Sequence, residues 1–235
     1  MSADTPAKYP SGFRARRGLN WASVGLMYTS FYLCRYNFSY ANKAISDEFH
    51  FSKSDISTIL MLNFLAYGCG QIINGLLTDR IGGKRAMLIG AVGTIVTNIL
   101  FGASSFWGML WLFALLWGLN GYLQSFGSPG FIKINSSWFS EKDRGTFAGI
   151  FGFMINLGRV VANKLLPALL AGFTFIGMWH VPPQHWRWLF WIPAAVCGIV
   201  ALGMALTVKQ TPEECGFNSA ELEEENNDTG QKVRL

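Results

Sequence analysis

Apolar residues form six long blocks along the chain, and short polar segments separate them. The blocks lie near Trp21–Ala44, Ile56–Leu77, Ala86–Ala103, Trp107 to about Trp138, Gly145–Phe175 and Trp186–Val208. Crossing a hydrocarbon layer of about 30 Å takes roughly 20 helical residues, so each block is long enough to be a span. Backbone groups in lipid must be bonded internally, which predicts helices, the fourth of them broken near Pro129. The pattern therefore predicts an all-α membrane protein with six transmembrane helices over residues 18–210.

Composition agrees with this prediction. Hydrophobic residues make up 51% of the 235 residues and charged residues only 14%, whereas soluble domains carry about 25% charged residues. So few charges exclude a simple cytosolic globule, and so many apolar residues exclude a disordered chain. The first block is longer than the apolar core of a signal peptide, and no small-residue cleavage site precedes it. We therefore expect the block to be retained as a span.

Both ends of the chain differ from its middle. Residues 1–17 form a basic N-terminal tail, and residues 211–235 contain seven of the 14 acidic residues. The second segment is predicted to be a disordered acidic tail or linker. The four cysteines are far apart in sequence and show no metal-ligand spacing, which favours inert packing over disulfides or zinc. No metal or cofactor site is predicted.

The basic residues outside the predicted spans are unevenly distributed. Twelve fall in the two tails and in the loops after spans two and four, whereas three fall on the opposite side. Basic residues accumulate on the cytoplasmic side of membrane proteins. This asymmetry and the even number of spans predict a multi-pass protein of the cell membrane with both termini in the cytoplasm.

Four basic residues lie within the predicted spans, and no Asp or Glu does. The four are Arg35, Lys133, Arg159 and Lys164. A charge at the bilayer centre costs about 2.5–3.5 kcal/mol on insertion scales. A chain that accepts cations there and excludes anions is predicted to bind negative charge within the membrane.

Two of these cations are predicted to lie at the same depth. Arg35 and Arg159 each lie 14 residues after the start of a span that runs in the same direction, which is about 21 Å along the helix. This spacing is compatible with a shared anion site and equally with two unrelated arginines that face polar neighbours. Lys133 and Lys164 lie nearer to span ends, where a lysine can extend its amine to the membrane surface.

Polar and aromatic side chains accompany Arg35. Tyrosines recur every fourth residue along span one, at Tyr28, Tyr32, Tyr36 and Tyr40. They form a slowly turning stripe along the whole helix, which favours a cavity wall over an interfacial aromatic belt. The other spans contribute further polar residues, namely Asn63, Tyr67 and Gln71 in span two and Asn120 and Gln124 in span four. Each of these taken singly is more often a helix–helix contact.

The loop after span two has a distinctive order of small and charged residues. It contains Gly75, Asp79, Arg80, Gly82, Lys84 and Arg85. Asp79 ends a helix, where the helix dipole disfavours an anion, so it needs a cationic or N–H partner. The loop is predicted to be either a charge latch that breaks on conformational change or a static topology signal.

These residues resemble a known family. The loop fits the G-x-x-x-D-R-x-G-x-K-R signature of the major facilitator superfamily. Four further stretches resemble its organophosphate:phosphate antiporters, namely Tyr32–Phe38, Gly121–Pro129, Trp138–Gly145 and Thr211–Gly216. The resemblance extends from about residue 18 to about residue 217.

The resemblance implies a function and several site residues. Such antiporters exchange glycerol-3-phosphate or sugar phosphates for inorganic phosphate by alternating access. Arg35 matches an arginine that binds the phosphate group, Tyr32 and Tyr67 match cavity tyrosines, and Asn156 matches an asparagine of the fifth helix. With the neighbouring polar and basic residues, the candidate substrate-binding set is Arg35, Tyr32, Tyr67, Tyr36, Gln71, Gln124, Lys133, Asn156 and Arg159.

The chain departs from the family pattern at several of these positions. Ile155 replaces a frequent histidine, Arg159 interrupts a glycine-rich run, and Tyr36 and Gln71 stand where basic residues are common. The charge is retained but redistributed, so the organic part of the substrate is expected to differ. Arg159 is a candidate for a second anion-binding cation.

The length of the chain does not determine how a complete transporter would be assembled from it. Such transporters have about twelve helices, and this chain contains the first six. A truncated or split product, a half that pairs with another chain, and a six-helix homodimer are all compatible with it. The alternatives to transport are a transporter-like sensor of sugar phosphate and an inactive half. An enzyme, ATP-driven transport and nucleic-acid binding are not supported, because no catalytic constellation, phosphate-binding glycine loop or continuous basic face is found.

Overall fold

The computed structural model describes residues 10–139, 144–175 and 179–217. Seven helices account for the six predicted spans: α1 Phe13–Phe49, α2 Lys53–Ile81, α3 Gly83–Ala103, α4 Leu110–Gln124, α5 Gly127–Ser136, α6 Arg144–Ala171 and α7 Trp188–Thr207. The fourth span is made of α4 and α5 together. Short 3-10 turns occupy Ser104–Phe106 and Pro212–Cys215, and a small antiparallel hairpin pairs β1 (Phe173–Phe175) with β2 (Trp179–Val181). The prediction of a helical six-span domain is confirmed.

Four stretches of helix in the described chain are long and apolar enough to cross a bilayer. They are Lys53–Ile81, Gly83–Phe106, Gly149–Ala171 and Trp188–Thr207. α1 is 37 residues long, but Arg35 and its tyrosines and asparagines make it more polar. α4 and α5 contain 15 and 10 residues, so neither crosses a bilayer alone.

Three helix ends differ from the predicted ones. The break in the fourth span lies at Ser125 and Phe126, and Pro129 lies in the first turn of α5. Proline fits there because the N–H groups of a first turn have no partner within the helix. The fifth span was predicted to reach residue 175, but α6 ends at Ala171 and Gly172 follows with a φ of 76°. α1 begins at Phe13, inside the predicted N-terminal tail.

The turn between α1 and α2 is set by local hydrogen bonds. His50 adopts a left-handed conformation with a φ of 54°. Ser52 then caps α2, because its hydroxyl accepts from the Asp55 N–H at 3.2 Å and the Asp55 carboxylate accepts from the Ser52 N–H at 2.9 Å. This reciprocal capping box starts a helix at a defined residue.

Small residues bring the helices together. A Cβ at Gly121 of α4 would lie 2.5 Å from the Asn63 carbonyl oxygen of α2, and a Cβ at Gly83 of α3 would lie 2.5 Å from the Gly130 carbonyl oxygen of α5. α6 approaches α1 at Gly158, where a Cβ would lie 2.9 Å from the Tyr32 ring. Close backbone approach of this kind stabilises helix association in lipid, where apolar burial alone provides little driving force.

The near end of the bundle, where α1 begins and α7 ends, is closed by residues 208–217. The Lys209 backbone N–H donates to Asn20 Oδ1 at 2.8 Å, and its carbonyl accepts from Asn20 Nδ2 at 2.9 Å and from Trp138 Nε1 at 3.2 Å. Phe217 packs against Phe13 edge to face. Residues 211–217 of the predicted disordered tail are therefore folded against the bundle, because Pro212 is buried and Cys215 and Phe217 pack against the core. The rest of the acidic tail lies outside the described residues.

The far end, where α1 ends and α7 begins, is held by a charged cluster. Glu48 Oε1 lies 2.7 Å from Arg187 Nη2, and Glu48 Oε2 accepts from Trp186 Nε1 at 2.5 Å. Arg187 also donates to the Ser105 hydroxyl. Burial and the positive charge of Arg187 lower the pKa of the nearby His185 from its ordinary value. The cluster joins α1, the turn after α3 and α7.

Candidate anion-binding site

Arg35 lies at the meeting point of three helices. Its Nε donates to Gln124 Oε1 of α4 at 2.9 Å. Its guanidinium carbon lies 4.5 Å from the centre of the Tyr67 ring of α2 and 5.2 Å from that of Tyr32 on α1. Aromatic faces attract a cation without neutralising it. The structure thus brings four of the predicted site residues into one group.

The outer nitrogens of this guanidinium are available. Within the described ranges, Arg35 has no acidic partner, and Nη1 and Nη2 make no hydrogen bond to protein. The planar fork of an arginine fits two oxygens of a phosphate or carboxylate at once. The geometry therefore leaves the outer edge of the Arg35 guanidinium open, while Gln124 accepts a hydrogen bond from its inner nitrogen, Nε.

Arg159 of α6 lies on the same aromatic ring. Its guanidinium carbon is 5.8 Å from the centre of the Tyr32 ring, so the guanidinium carbons of Arg159 and Arg35 are at most 11.0 Å apart. Gly158 allows this approach, because a side chain there would strike the Tyr32 ring. No ion pair of Arg159 is found in the described part of the chain. The two arginines present two unneutralised charges to one region.

The tyrosine stripe of α1 faces α6 along its length. Tyr36 stacks on Tyr32 with ring centres 5.8 Å apart, and the Tyr40 hydroxyl donates to Asn163 Oδ1 at 2.9 Å. Tyr28 packs instead against Phe131 and Phe151 in the core. In the described contacts, Tyr32 and Tyr40 are therefore the tyrosines of this stripe that meet polar side chains of α6, namely Arg159 and Asn163.

Asn163 is a residue that the sequence analysis missed. It follows Asn156 by seven residues and Arg159 by four, a spacing that places all three on one helix face. Asn156 is exposed and donates to the Gly152 carbonyl of its own helix at 2.8 Å. The spacing was the available signal, and it marks a polar stripe on α6.

The remaining candidates lie apart from this group or have no contact with it. Gln71 is half-buried on α2 one turn after Tyr67, and Lys164 is exposed on α6. Lys133 Nζ lies 2.9 Å from Asp79 Oδ1. No contact joins Lys133 to Arg35 within the described ranges, so the structure associates Lys133 with the loop rather than with the anion group.

The loop after α2 is anchored at two points. Lys133 of α5 is the cationic partner that Asp79 requires at a helix end. The Lys84 N–H donates to Gln210 Oε1 at 3.0 Å, and Gly82 adopts a φ of 87° beside the same glutamine. The other residues of the loop signature have fewer contacts. Arg80 and Arg85 are exposed, and a Cβ at Gly75 would meet nothing within 4 Å.

Metal-binding chemistry has no support in the described residues. Residues 10–139, 144–175 and 179–217 contain no group of three His, Cys, Asp or Glu side chains that could hold an ion. The four cysteines are free thiols, and Cys34 and Cys197 are buried.

Known proteins resemble this chain in sequence. It is 31% identical over 186 residues to the membrane sensor protein UhpC of Salmonella typhimurium, covering 79% of this chain and 38% of that protein. It is 28% identical to a probable hexose phosphate transport protein of Chlamydia trachomatis, covering 85% and 41%. It is 26% identical to the glycerol-3-phosphate transporter of Bacillus subtilis, covering 90% and 45%. The chain thus spans less than half the length of these relatives.

A solved structure and a family model agree on the fold. A bacterial homologue of the human lysosomal transporter Spinster, in an inward-facing and unoccupied conformation, superposes with a TM-score of 0.71 at 20% identity. The match covers 84% of this chain and 44% of that one. The Major Facilitator Superfamily model matches residues 24–229. With its six helical spans and the loop signature after α2, the chain belongs to the major facilitator superfamily.

Proposed function

We propose that this chain forms one half of a membrane transporter for phosphorylated organic anions, such as glycerol-3-phosphate or a sugar phosphate. The anion exchanges for inorganic phosphate by alternating access, with Arg35 binding the phosphate group. The observation that carries the proposal is the open edge of Arg35 between Gln124, Tyr32 and Tyr67, where no acidic side chain of the described residues pairs with it. The hexose phosphate and glycerol-3-phosphate transport proteins among the relatives support the substrate class.

Two helices supply the faces that would meet the other half. α2 exposes large apolar side chains, including Phe64 at 77% and Ile72 at 72%, and α6 exposes Phe153. The polar stripe of Asn156 and Arg159 also lies on exposed positions of α6. A second six-helix half or a second copy of this chain would cover these faces and complete a site at the middle of the membrane.

The orientation of the chain in the membrane follows from the basic residues at the near end of the bundle. The start of α1, the loop after α2 and the end of α7 all lie there, and they contain Arg14, Arg16, Arg17, Arg80, Lys84, Arg85 and Lys209. We place this end, and with it both termini, in the cytoplasm.

Exchange of radiolabelled phosphate in liposomes that contain only this chain tests the proposal. Labelled phosphate should leave the liposomes only when unlabelled phosphate or an organophosphate is present outside. Exchange by the chain alone would mean that six helices suffice, as a homodimer. If well-inserted protein neither exchanges nor binds phosphate, the assignment is wrong.

The same assay tests Arg159 as a second cation. Arg159→Gln removes a charge beside Tyr32 but leaves Arg35 and Gln124 in place, so exchange should fall severalfold without loss of the folded protein. Unchanged counterflow in Arg159→Gln would remove this residue from the site.

A sensor is the second candidate, because the 31% identical relative is a membrane sensor protein. The anion-binding residues would serve both functions. Saturable phosphate binding without flux would favour sensing, whereas flux would favour transport.

The loop after α2 is proposed to act as a conformational latch. The Asp79–Lys133 pair is exposed, and exposed pairs contribute about 0–1 kcal/mol, so breaking it costs little. Asp79→Asn should therefore slow exchange severalfold while the thermal stability and the phosphate affinity stay close to those of the wild type. Lys43→Gln, which removes another exposed ion pair at the far end, is the control. An unchanged exchange rate in Asp79→Asn would favour a static role for the loop.

A further inference from the structure

A chain of buried side-chain amides leads away from Arg35. Its members are Gln124 and Asn120 of α4, Asn98 of α3 and Asn37 of α1, each at most 1% exposed. Each is hydrogen-bonded to the next along this chain. Buried amides in a membrane domain are costly unless every donor and acceptor is satisfied, so such a network fixes one arrangement of its helices.

The direction of each hydrogen bond is dictated by Arg35. A guanidinium can only donate, so Gln124 must turn its Oε1 to Arg35 Nε. Its amide nitrogen is then directed to Asn120 Oδ1 at 3.2 Å and to the Cys34 carbonyl at 3.1 Å. Asn120 must therefore present its oxygen to Gln124, and its own nitrogen donates to the Cys34 carbonyl at 3.2 Å.

The remaining hydrogen bonds of the network are those of Asn98 and Asn37, and their directions are fixed as well. Its Nδ2 donates to Asn120 Oδ1 at 3.0 Å, and its Oδ1 accepts from Asn37 Nδ2 at 2.7 Å. Asn37 Oδ1 in turn accepts from the backbone N–H of Phe38 at 2.9 Å. Both ends of the chain are groups that can only donate, so no amide between them can be flipped without leaving a buried group unpaired.

The network holds Arg35 in two places. Gln124 holds the Nε of the side chain, while Gln124 and Asn120 together hold the carbonyl of Cys34, the residue directly before Arg35. A flexible arginine loses rotamer freedom when it binds a ligand, and fixing it beforehand removes that cost. The Nε and the backbone of Arg35 are thus fixed before any anion arrives, while Nη1 and Nη2 keep no hydrogen bond to the described residues.

We infer that Asn98 and Asn120 are positioning residues that preorganise the Arg35 guanidinium for an anion, although neither touches it. The inference rests on the proposed anion site for its functional consequence. Arg35 and its two amide supports form a unit built from α1, α3 and α4.

The test compares Asn98→Ala and Asn120→Ala with Asn74→Ala. Asn74 is an equally buried amide that donates to the Tyr122 carbonyl at 3.0 Å and to the Ser125 hydroxyl at 2.7 Å. It bridges α2 and α4 without any link to Arg35 in the described contacts. All three variants remove a buried side-chain amide that joins two helices, so Asn74→Ala shows the effect of such a loss away from Arg35, and the melting temperature of each variant is measured beside it.

The first readout is the Arg35 Nε–Hε signal in the NMR spectrum of the full chain, labelled with ¹⁵N-arginine in lipid nanodiscs. Its disappearance in Arg35→Lys assigns the signal. We expect slow exchange of this proton with solvent in the wild type and in Asn74→Ala, and at least severalfold faster exchange in Asn98→Ala and Asn120→Ala. An unchanged exchange rate in both of these variants would overturn the inference.

The second readout is the affinity for inorganic phosphate of the same samples. The Asn98 and Asn120 variants should bind phosphate roughly tenfold more weakly, whereas Asn74→Ala should stay within about twofold of the wild type. An equal loss in Asn74→Ala would reduce the network to a structural role. If the wild type binds no phosphate but the NMR signal behaves as expected, the proposed function fails and the positioning of Arg35 stands.

Discussion

Arg35→Ala should abolish phosphate exchange, and Arg35→Lys should retain about a tenth of the wild-type phosphate affinity or less. Alanine removes the charge that the other site residues surround. Lysine keeps a charge but concentrates it in one ammonium nitrogen, which lacks the planar fork that lets a guanidinium bond Gln124 through Nε and two phosphate oxygens through its outer nitrogens. Each charge-assisted hydrogen bond lost costs about 1.5–3 kcal/mol, which corresponds to roughly tenfold or more in affinity.

Equilibrium binding of phosphate to purified protein and exchange in liposomes both measure this effect. Lys43→Gln removes one positive charge from an exposed position at the far end and should leave both values unchanged. Matched protein content and matched melting temperatures would show that Arg35→Lys is folded. If Arg35→Lys binds phosphate within about twofold of the wild type, Arg35 is not the phosphate-binding residue.

Gly121→Leu should have the largest effect on stability. A Cβ at this position would lie 2.5 Å from the Asn63 carbonyl oxygen, and no rotamer of a side chain can relieve a contact with backbone. α2 and α4 would have to separate, and the hydrogen bond from Asn63 Nδ2 to the Trp117 carbonyl, 2.6 Å long, would be lost as well. Overpacking of this kind costs about 3 kcal/mol.

Gly68→Leu is the matched control, because Gly68 lies on the exposed face of α2 and a Cβ there meets nothing within 4 Å. The melting temperature and the fraction of monodisperse protein in detergent should fall sharply for Gly121→Leu and little for Gly68→Leu. Equal values for the two variants would show that α2 and α4 do not depend on this close approach.

The sequence was sufficient to predict features that depend on one helix at a time. The apolar blocks located the six spans, and the stripe of tyrosines identified the face of α1 that contains Arg35. The shared depth of Arg35 and Arg159 was an expectation from counting residues, and the structure places both guanidinium groups on the Tyr32 ring.

The sequence pattern did not predict which side chains of different helices pair. Asp79 required a cation, but nothing in the spacing identified Lys133, 54 residues later, as that cation. The sequence pattern did not identify Asn98 of α3, because a single asparagine in an apolar helix has no periodic partner. Its position within the network depends on how α1, α3 and α4 pack, and helical periodicity defines faces without assigning neighbours.

The segment that closes the near end also bears on the order of folding. Asn20 and Lys209 are 189 residues apart, and the Lys84 N–H meets Gln210 across 126 residues. Contacts of such separation form late, after the loop between them has been closed by other helices. We therefore expect the closure at Lys209 to form after the earlier spans have been inserted. Protection of residues 208–217 from protease would report a completely assembled bundle.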